Sequence, residues 1–155
     1  MERGRRLAID VGTVRIGLAV CDPDGILSSP LPALARSAEL SESLQALSDL
    51  IDEHSAVEVY VGDPISLSGR QSASTKDARE FASRLADVIS VPVRLVDERL
   101  TTVTASAKLR SSGKDAKQSK SLIDSSSAVE ILEQALATLR VSGRAPGHLV
   151  EGSDA

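Results

Sequence analysis

The sequence predicts an α/β domain built on a mixed sheet: an antiparallel three-strand meander, then strands that alternate with helices. Three observations carry this. Two apolar runs, 5–11 and 14–21, are separated only by Gly12-Thr13, too short for anything but an antiparallel hairpin. Leu40, Leu44, Leu47 and Ile51 recur at helical spacing. Beyond them, short β-branched runs at 57–61 and 93–96 are each followed by a helical pattern, as in parallel βα units.

The elements follow in order. After the hairpin, Asp22-Pro23-Asp24-Gly25 is a turn signal. Ile26 to about Leu34 reads as a third strand, and Pro30 and Pro32 confine it to an edge. A helix over 39–54 precedes the strand Val57–Val61, which ends at Gly62-Asp63-Pro64. A loop from Ile65 to Ser74 leads to a helix over 75–90, with Ala78, Phe81, Ala82, Leu85 and Ile89 on one face. The strand Val93–Val96 ends at Asp97-Glu98, and a helix over 101–111 stops near Gly113, a residue suited to a helix C-terminus. The polar segment up to Lys120 is expected to be mobile. A last helix over 121–140 turns Ala128, Ile131, Leu132, Ala135 and Leu139 inward. The domain is therefore expected over 1–140, with 141–155 a disordered tail.

A chain of 155 residues can bury one ordinary core. Tyr60 and Phe81 are its only aromatics, so the core must be aliphatic, and stacking of bases on aromatic platforms is nearly excluded. The single cysteine, Cys21, forms no internal disulfide and reads as a reduced thiol. The basic start Met1-Glu2-Arg3-Gly4-Arg5-Arg6 leads only into a short strand, unlike a signal peptide, and no segment has the length of a membrane helix. A cytoplasmic location is expected. The net charge of −4 argues against a general nucleic-acid coat, but its distribution is uneven. From Arg99 to Lys120, Arg99, Lys108, Arg110, Lys114, Lys117 and Lys120 face only Asp115, a local +5 on an otherwise acidic chain. Such a stripe suits a confined phosphate-tracking surface, or simply a solvated face.

Three carboxylates stand out. Asp10 lies inside the apolar strand Leu7-Ala8-Ile9-Asp10-Val11, where an unpaired charge costs several kcal/mol. An Asx-type hydrogen bond to the Gly12-Thr13 turn is the plain alternative. Glu98 follows the end of a parallel strand, the place where open α/β sheets bind ligands, although a solvated loop would also explain it. Asp124 completes a capping-box pattern with Ser121, yet it also continues the buried stripe of Ala128, Ile131 and Ala135. With no Cys/His cluster, three separated acids point to a hard, oxygen-bound cation such as magnesium or manganese. One or two such ions can assist phosphodiester hydrolysis by water, with no protein nucleophile. His54 and His148, at a helix end and in the tail, read as surface residues.

Thr13 and Arg15 flank the hairpin turn, where a hydroxyl and a guanidinium can meet a phosphate. Arg99, Thr101 and Thr102 open a helix whose N-terminal amides suit an anion. The loop Gly62–Gly69 lacks the Lys-Ser/Thr ending of a Walker loop and is not read as an ATP site.

With these residues in place the chain resembles the YqgF/RuvX family, bacterial proteins described as Holliday junction resolvases and as nucleases maturing the 5′ end of pre-16S ribosomal RNA. The resemblance spans about Leu7 to Leu139. It rests on Ile9-Asp10-Val11-Gly12-Thr13-Val14-Arg15-Ile16-Gly17-Leu18-Ala19, Val61-Gly62-Asp63-Pro64-Ile65, Asp97-Glu98-Arg99-Leu100-Thr101-Thr102 and the run from Asp124 to Leu132. It implies an RNase H-like fold and an acidic metal site, which falls on Asp10, Glu98 and Asp124. The chain departs from the family pattern at four places: Val14 replaces a lysine, Asp63 a leucine, Thr104 an acid, and Ser125, Ser126 and Ser127 an alanine-rich helix start. Asp63 is expected to add negative charge near the site and weaken substrate binding.

The leading expectation is a metal-dependent endonuclease on structured nucleic acid, with pre-16S rRNA favoured over a four-way DNA junction. Symmetric junction resolution needs a dimer, whereas RNA cleavage is compatible with a monomer. Two other readings remain: a non-catalytic RNA-binding assembly or transcription factor, and an actin-like phosphate-binding ATPase domain, against which the chain length argues.

Overall fold

The computed structural model describes residues 3–64, 72–97 and 124–152. Six strands, β1 (Arg6–Val11), β2 (Arg15–Cys21), β3 (Ser28–Ala35), β4 (Glu58–Asp63), β5 (Val93–Asp97) and β6 (His148–Leu149), form one sheet. Its order is β3-β2-β1-β4-β5-β6. The three helices among the described residues are α1 (Leu40–Glu53), α2 (Ala73–Val88) and α3 (Ser126–Ser142). β1, β2 and β3 pair antiparallel, while β1, β4 and β5 are parallel, so the expected mixed sheet is present. The helix expected over 101–111, the polar segment after it and the loop 65–71 lie outside the described residues.

Strand alternation sorts the core into two layers. Leu7, Ile9, Ile16, Leu18, Val59 and Val61 face α1 and α2, where Leu44, Leu47, Phe81 and Leu85 meet them. Ala8, Ala19, Tyr60 and Val96 face α3 and its Ala128, Ile131, Leu132 and Ala135. Small alanines on both partners let α3 lie close to the sheet. Among the described residues it is the only helix on that face, and Asp10 there is half-buried.

Several boundaries differ from the sequence expectation for physical reasons. β3 starts at Ser28 rather than Ile26, because the Asp22 carboxylate accepts the Ile26 and Leu27 amides at 2.7 Å each and holds both in the turn. β4 runs on to Asp63 because Gly62 and Asp63 still pair with Val96 and Asp97. α2 begins at Ala73, where Ser72 and Thr75 form a reciprocal capping box with threonine in the usual place of glutamate. The expected tail is partly ordered: α3 reaches Ser142, Gly143 turns the chain in the left-handed region at φ 70°, and His148–Leu149 pair with β5. Arg94 fastens this return, donating to the Pro146 and Gly147 carbonyls at 2.6 and 3.1 Å. A two-residue strand has no periodicity to read in the sequence.

Candidate functional site

The hairpin turn joining β1 to β2 is fixed from behind. The Gly12 amide donates to the Arg15 carbonyl at 3.0 Å, and the Arg36 amide donates to the Val14 carbonyl at 2.9 Å. The Arg36 guanidinium donates to the Gly12 carbonyl at 3.0 Å and to both Asp77 oxygens, at 2.7 and 2.8 Å. Arg36 also lies over the Phe81 ring, 5.5 Å from its centroid. α2 thus anchors a turn that presents Thr13, Val14 and Arg15 to solvent. A cavity of about 490 Å³ lined by Thr13, Arg36, Asp77, Glu80 and Phe81 opens beside this anchor. Its guanidinium is already taken up by Asp77, and the carboxylates flagged in the sequence are not part of it.

On the α3 face, Asp10 stands directly across from Gly17 in the β1–β2 ladder. Residues directly opposite in an antiparallel pair project to the same side, so position 17 shares the face of Asp10. A Cβ at position 17 would run into the Asp124 carbonyl oxygen and lie 3.2 Å from the Ser125 Cα. Gly17 is therefore the gap that lets the start of α3 lie against the sheet beside Asp10. Ser125 locks that placement. Its fully buried hydroxyl accepts the Leu18 amide at 3.0 Å and donates to the Leu31 carbonyl at 2.6 Å. The β2–β3 register shifts between Ile16 and Leu18, and the hydroxyl bridges the two strands just there. In the sequence Gly17 stands only as part of the first family motif and Ser125 only as one of three serines replacing an alanine-rich start; a glycine within an apolar strand was the signal available for their packing role.

The electrostatics of this corner are incomplete. Burial raises the Asp10 carboxyl above its usual range, with no opposing hydrogen bond or charge among the described residues. Asp124 Oδ2 is buried without a hydrogen-bond partner. Its charge partner is the Arg15 Nε at 3.5 Å, with side chains 30% and 47% exposed. Asp124 is thus half-buried and engaged with a side chain, while Ser121, its expected capping partner, lies outside the described residues. Among the described residues no group of three acidic or metal-ligating side chains comes together. Two carboxylates on one face, one of them with a buried unbonded oxygen, nonetheless fit a hard cation that takes further oxygen ligands.

The remaining sequence candidates divide. Both Thr13 and Arg15 are exposed at the turn, but Arg15 pairs with Asp124 whereas Thr13 lines the cavity beside Arg36 and Asp77. Glu98, Arg99, Thr101, Thr102, Lys108, Arg110, Lys114, Lys117 and Lys120 lie outside the described residues. The expectation for Asp63 is overturned. It is only 4% exposed, alternates with Val59 and Val61 toward α2, and Arg79 closes on both its oxygens at 3.1 and 2.9 Å. Its charge is neutralised on the other face of the sheet. His54 caps the end of α1 and His148 lies exposed in β6, both apart from the acids.

The comparisons with known proteins bear on the fold and the family. The RuvC of Thermus thermophilus, solved in complex with a Holliday junction substrate, superposes with a TM-score of 0.62 over 92% of this chain and 99% of its own, at 15% identity. That likeness establishes the fold as RNase H-like. Relatives whose names describe them, provisionally, as pre-16S rRNA nucleases are far closer in sequence. One from Streptomyces avermitilis is 51% identical over 152 residues, covering 97% of both chains. Another from Clavibacter michiganensis subsp. michiganensis is 47% identical over 150 residues, covering 97% of this chain and 93% of its own. The family model described as "RuvX: Holliday junction resolvase" matches residues 4–138, and the chain belongs to that family.

Proposed function

We propose that this protein is a cytoplasmic, metal-dependent endonuclease that hydrolyses phosphodiester bonds of structured nucleic acid, with the 5′ end of pre-16S rRNA as its substrate. The observation that carries the reading is the approach of the Asp10 and Asp124 backbones around Gly17, which puts two carboxylates on one face, Asp10 raised by burial and Asp124 with one oxygen buried and unbonded. Glu98, which follows the last residue of β5, is the third member in this reading. Asp10, Glu98 and Asp124 hold magnesium or manganese. When bound, that cation supplies charge stabilisation at the phosphate and a more acidic attacking water. The chain's own residues orient the substrate: Thr13 and Arg15 at the fixed hairpin turn meet the phosphate next to the scissile bond. Arg99, Thr101, Thr102, Lys108, Arg110, Lys114, Lys117 and Lys120 follow the backbone further along.

The names borne by relatives about 50% identical favour ribosomal RNA, and the family's description makes a four-way DNA junction the second substrate to try. The test is cleavage of a labelled pre-16S 5′ leader, a four-way junction and a plain duplex. Wild type and Asp10→Asn are compared with manganese, magnesium or chelator. Metal-dependent cutting of the leader, absent in Asp10→Asn, is the expected result. Cutting of the junction alone would replace the substrate. Tight binding without cutting would point instead to an assembly factor.

A further inference from the structure

The ion pair between Arg15 and Asp124 differs in kind from the two forked pairs, Arg36–Asp77 and Arg79–Asp63. Arg36 grips Asp77, and Arg79 grips Asp63, each through two hydrogen bonds of 3.1 Å or less. Such forked pairs are rigid and strong. Arg15 approaches Asp124 through Nε alone at 3.5 Å, and Oδ2 makes no hydrogen bond. Its base is fixed, because Arg15 is the first residue of β2 and its carbonyl accepts the Gly12 amide. Its head is half exposed and free to leave. Residue alternation along β2 puts it on the same face as Gly17, hence on the face of Asp10 and Asp124.

Resting on the metal-site reading above, we propose that Arg15 is an exchangeable counter-charge. It neutralises Asp124 while no cation is held, and gives up that carboxylate to the cation. It then turns to the phosphate of the bound nucleic acid. A guanidinium and a divalent cation cannot share one carboxylate oxygen at these separations without strong mutual repulsion. Arg15 therefore competes with the cation and cooperates with the substrate. Because coupling between two ligands is reciprocal, cation binding strengthens the grip on nucleic acid through this residue, by about tenfold. Arg15 is in this sense a positioning and gating residue for the site rather than an extra phosphate contact alone.

The experiment is calorimetric titration of the full chain with manganese in the absence of nucleic acid, for wild type, Arg15→Gln, Arg15→Lys and Asp10→Asn. Circular dichroism confirms that each variant is folded. Arg15→Gln should bind manganese about tenfold more tightly than wild type, because the competing charge is gone. Arg15→Lys, which keeps the charge, should stay close to wild type. Arg15→Gln binding manganese no more tightly, or more weakly, overturns the proposal while leaving the metal site intact. Manganese affinity that is missing in wild type, or unaltered in Asp10→Asn, removes the metal-site reading and this proposal with it. These two failures are separate, since the first is read from Arg15→Gln and the second from wild type and Asp10→Asn.

Discussion

Two pairs of acids on opposite faces of the sheet are treated in opposite ways. Toward α1 and α2, Asp77 and Asp63 each sit in a two-pronged grip of an arginine. Toward α3, Asp10 has no partner among the described residues, and Asp124 leaves one oxygen buried and unbonded. Glu58 on the α3 face is itself held, by the Tyr60 hydroxyl at 2.6 Å, so Asp10 and Asp124 stand apart from the acids that the fold engages. Buried polar atoms are ordinarily satisfied, and exceptions call for a cause. Here the cause offered is a ligand that completes the carboxylates when the site is at work. Charge pairing thus separates the acids that hold the structure from those available for chemistry.

The largest effect expected is at Asp10. Asp10→Asn should weaken manganese binding on the order of 100-fold and abolish metal-dependent cleavage, measured by calorimetry and gel assay. The faces should also answer acid in opposite senses. Burial raises the Asp10 carboxyl above its ordinary 3.8, so without metal its contribution to folding is most favourable below that value and is lost as pH rises through the raised one. The Arg36 hydrogen bonds lower the Asp77 carboxyl below its ordinary 3.8, so its contribution is present above that value and is lost as pH falls through the lowered one. In chelator, Asp10→Asn should therefore gain stability over wild type as pH rises toward neutrality. Asp77→Asn should lose stability relative to wild type at neutral pH, a deficit that shrinks in acid. Urea unfolding across the pH range checks both.

Next come the residues that bring α3 to the sheet. Ser125→Ala leaves the Leu18 amide and the Leu31 carbonyl without their hydroxyl partner, at a cost of about 2 kcal/mol in urea unfolding. Gly17→Ala forces a methyl group into the Asp124 carbonyl and should cost about 2 kcal/mol by overpacking. Both should also loosen metal binding, since each moves Asp124 relative to Asp10. The smallest effect belongs to the structural face. Asp63→Leu should cost about 1 kcal/mol, because the released Arg79 is partly exposed and can reach water. It should leave manganese and nucleic-acid affinity unchanged. A change in substrate affinity there would restore Asp63 to the site.

Much of the fold was legible because its signals are local. The two-residue connection between apolar runs specified the hairpin, and Leu40, Leu44, Leu47 and Ile51 specified α1 by their spacing. Asp10 stood out because a strand leaves a carboxylate nowhere to hide. What escaped notice depends on contacts far apart in sequence. Ser125 reads as one serine in a run of three, and only the β2–β3 register shift against α3 gives its hydroxyl two partners. Asp63 reads as a charge near the site because the sequence does not reveal which face it takes or that Arg79 waits on the next helix. The short β6 pairing has no pattern of its own and is set by the edge of β5 that it covers.

The most direct test of the unsatisfied face is thermal unfolding of wild type and Asp10→Asn in chelator and in saturating manganese. A ligand held only by the folded state at 100 times its dissociation constant adds about 2.7 kcal/mol of stability. The account predicts a clear upward shift for wild type on adding manganese and little or none for Asp10→Asn. It further predicts that at neutral pH in chelator the variant is the more stable of the two. Equal shifts in both proteins, or a wild type indifferent to manganese, would contradict it.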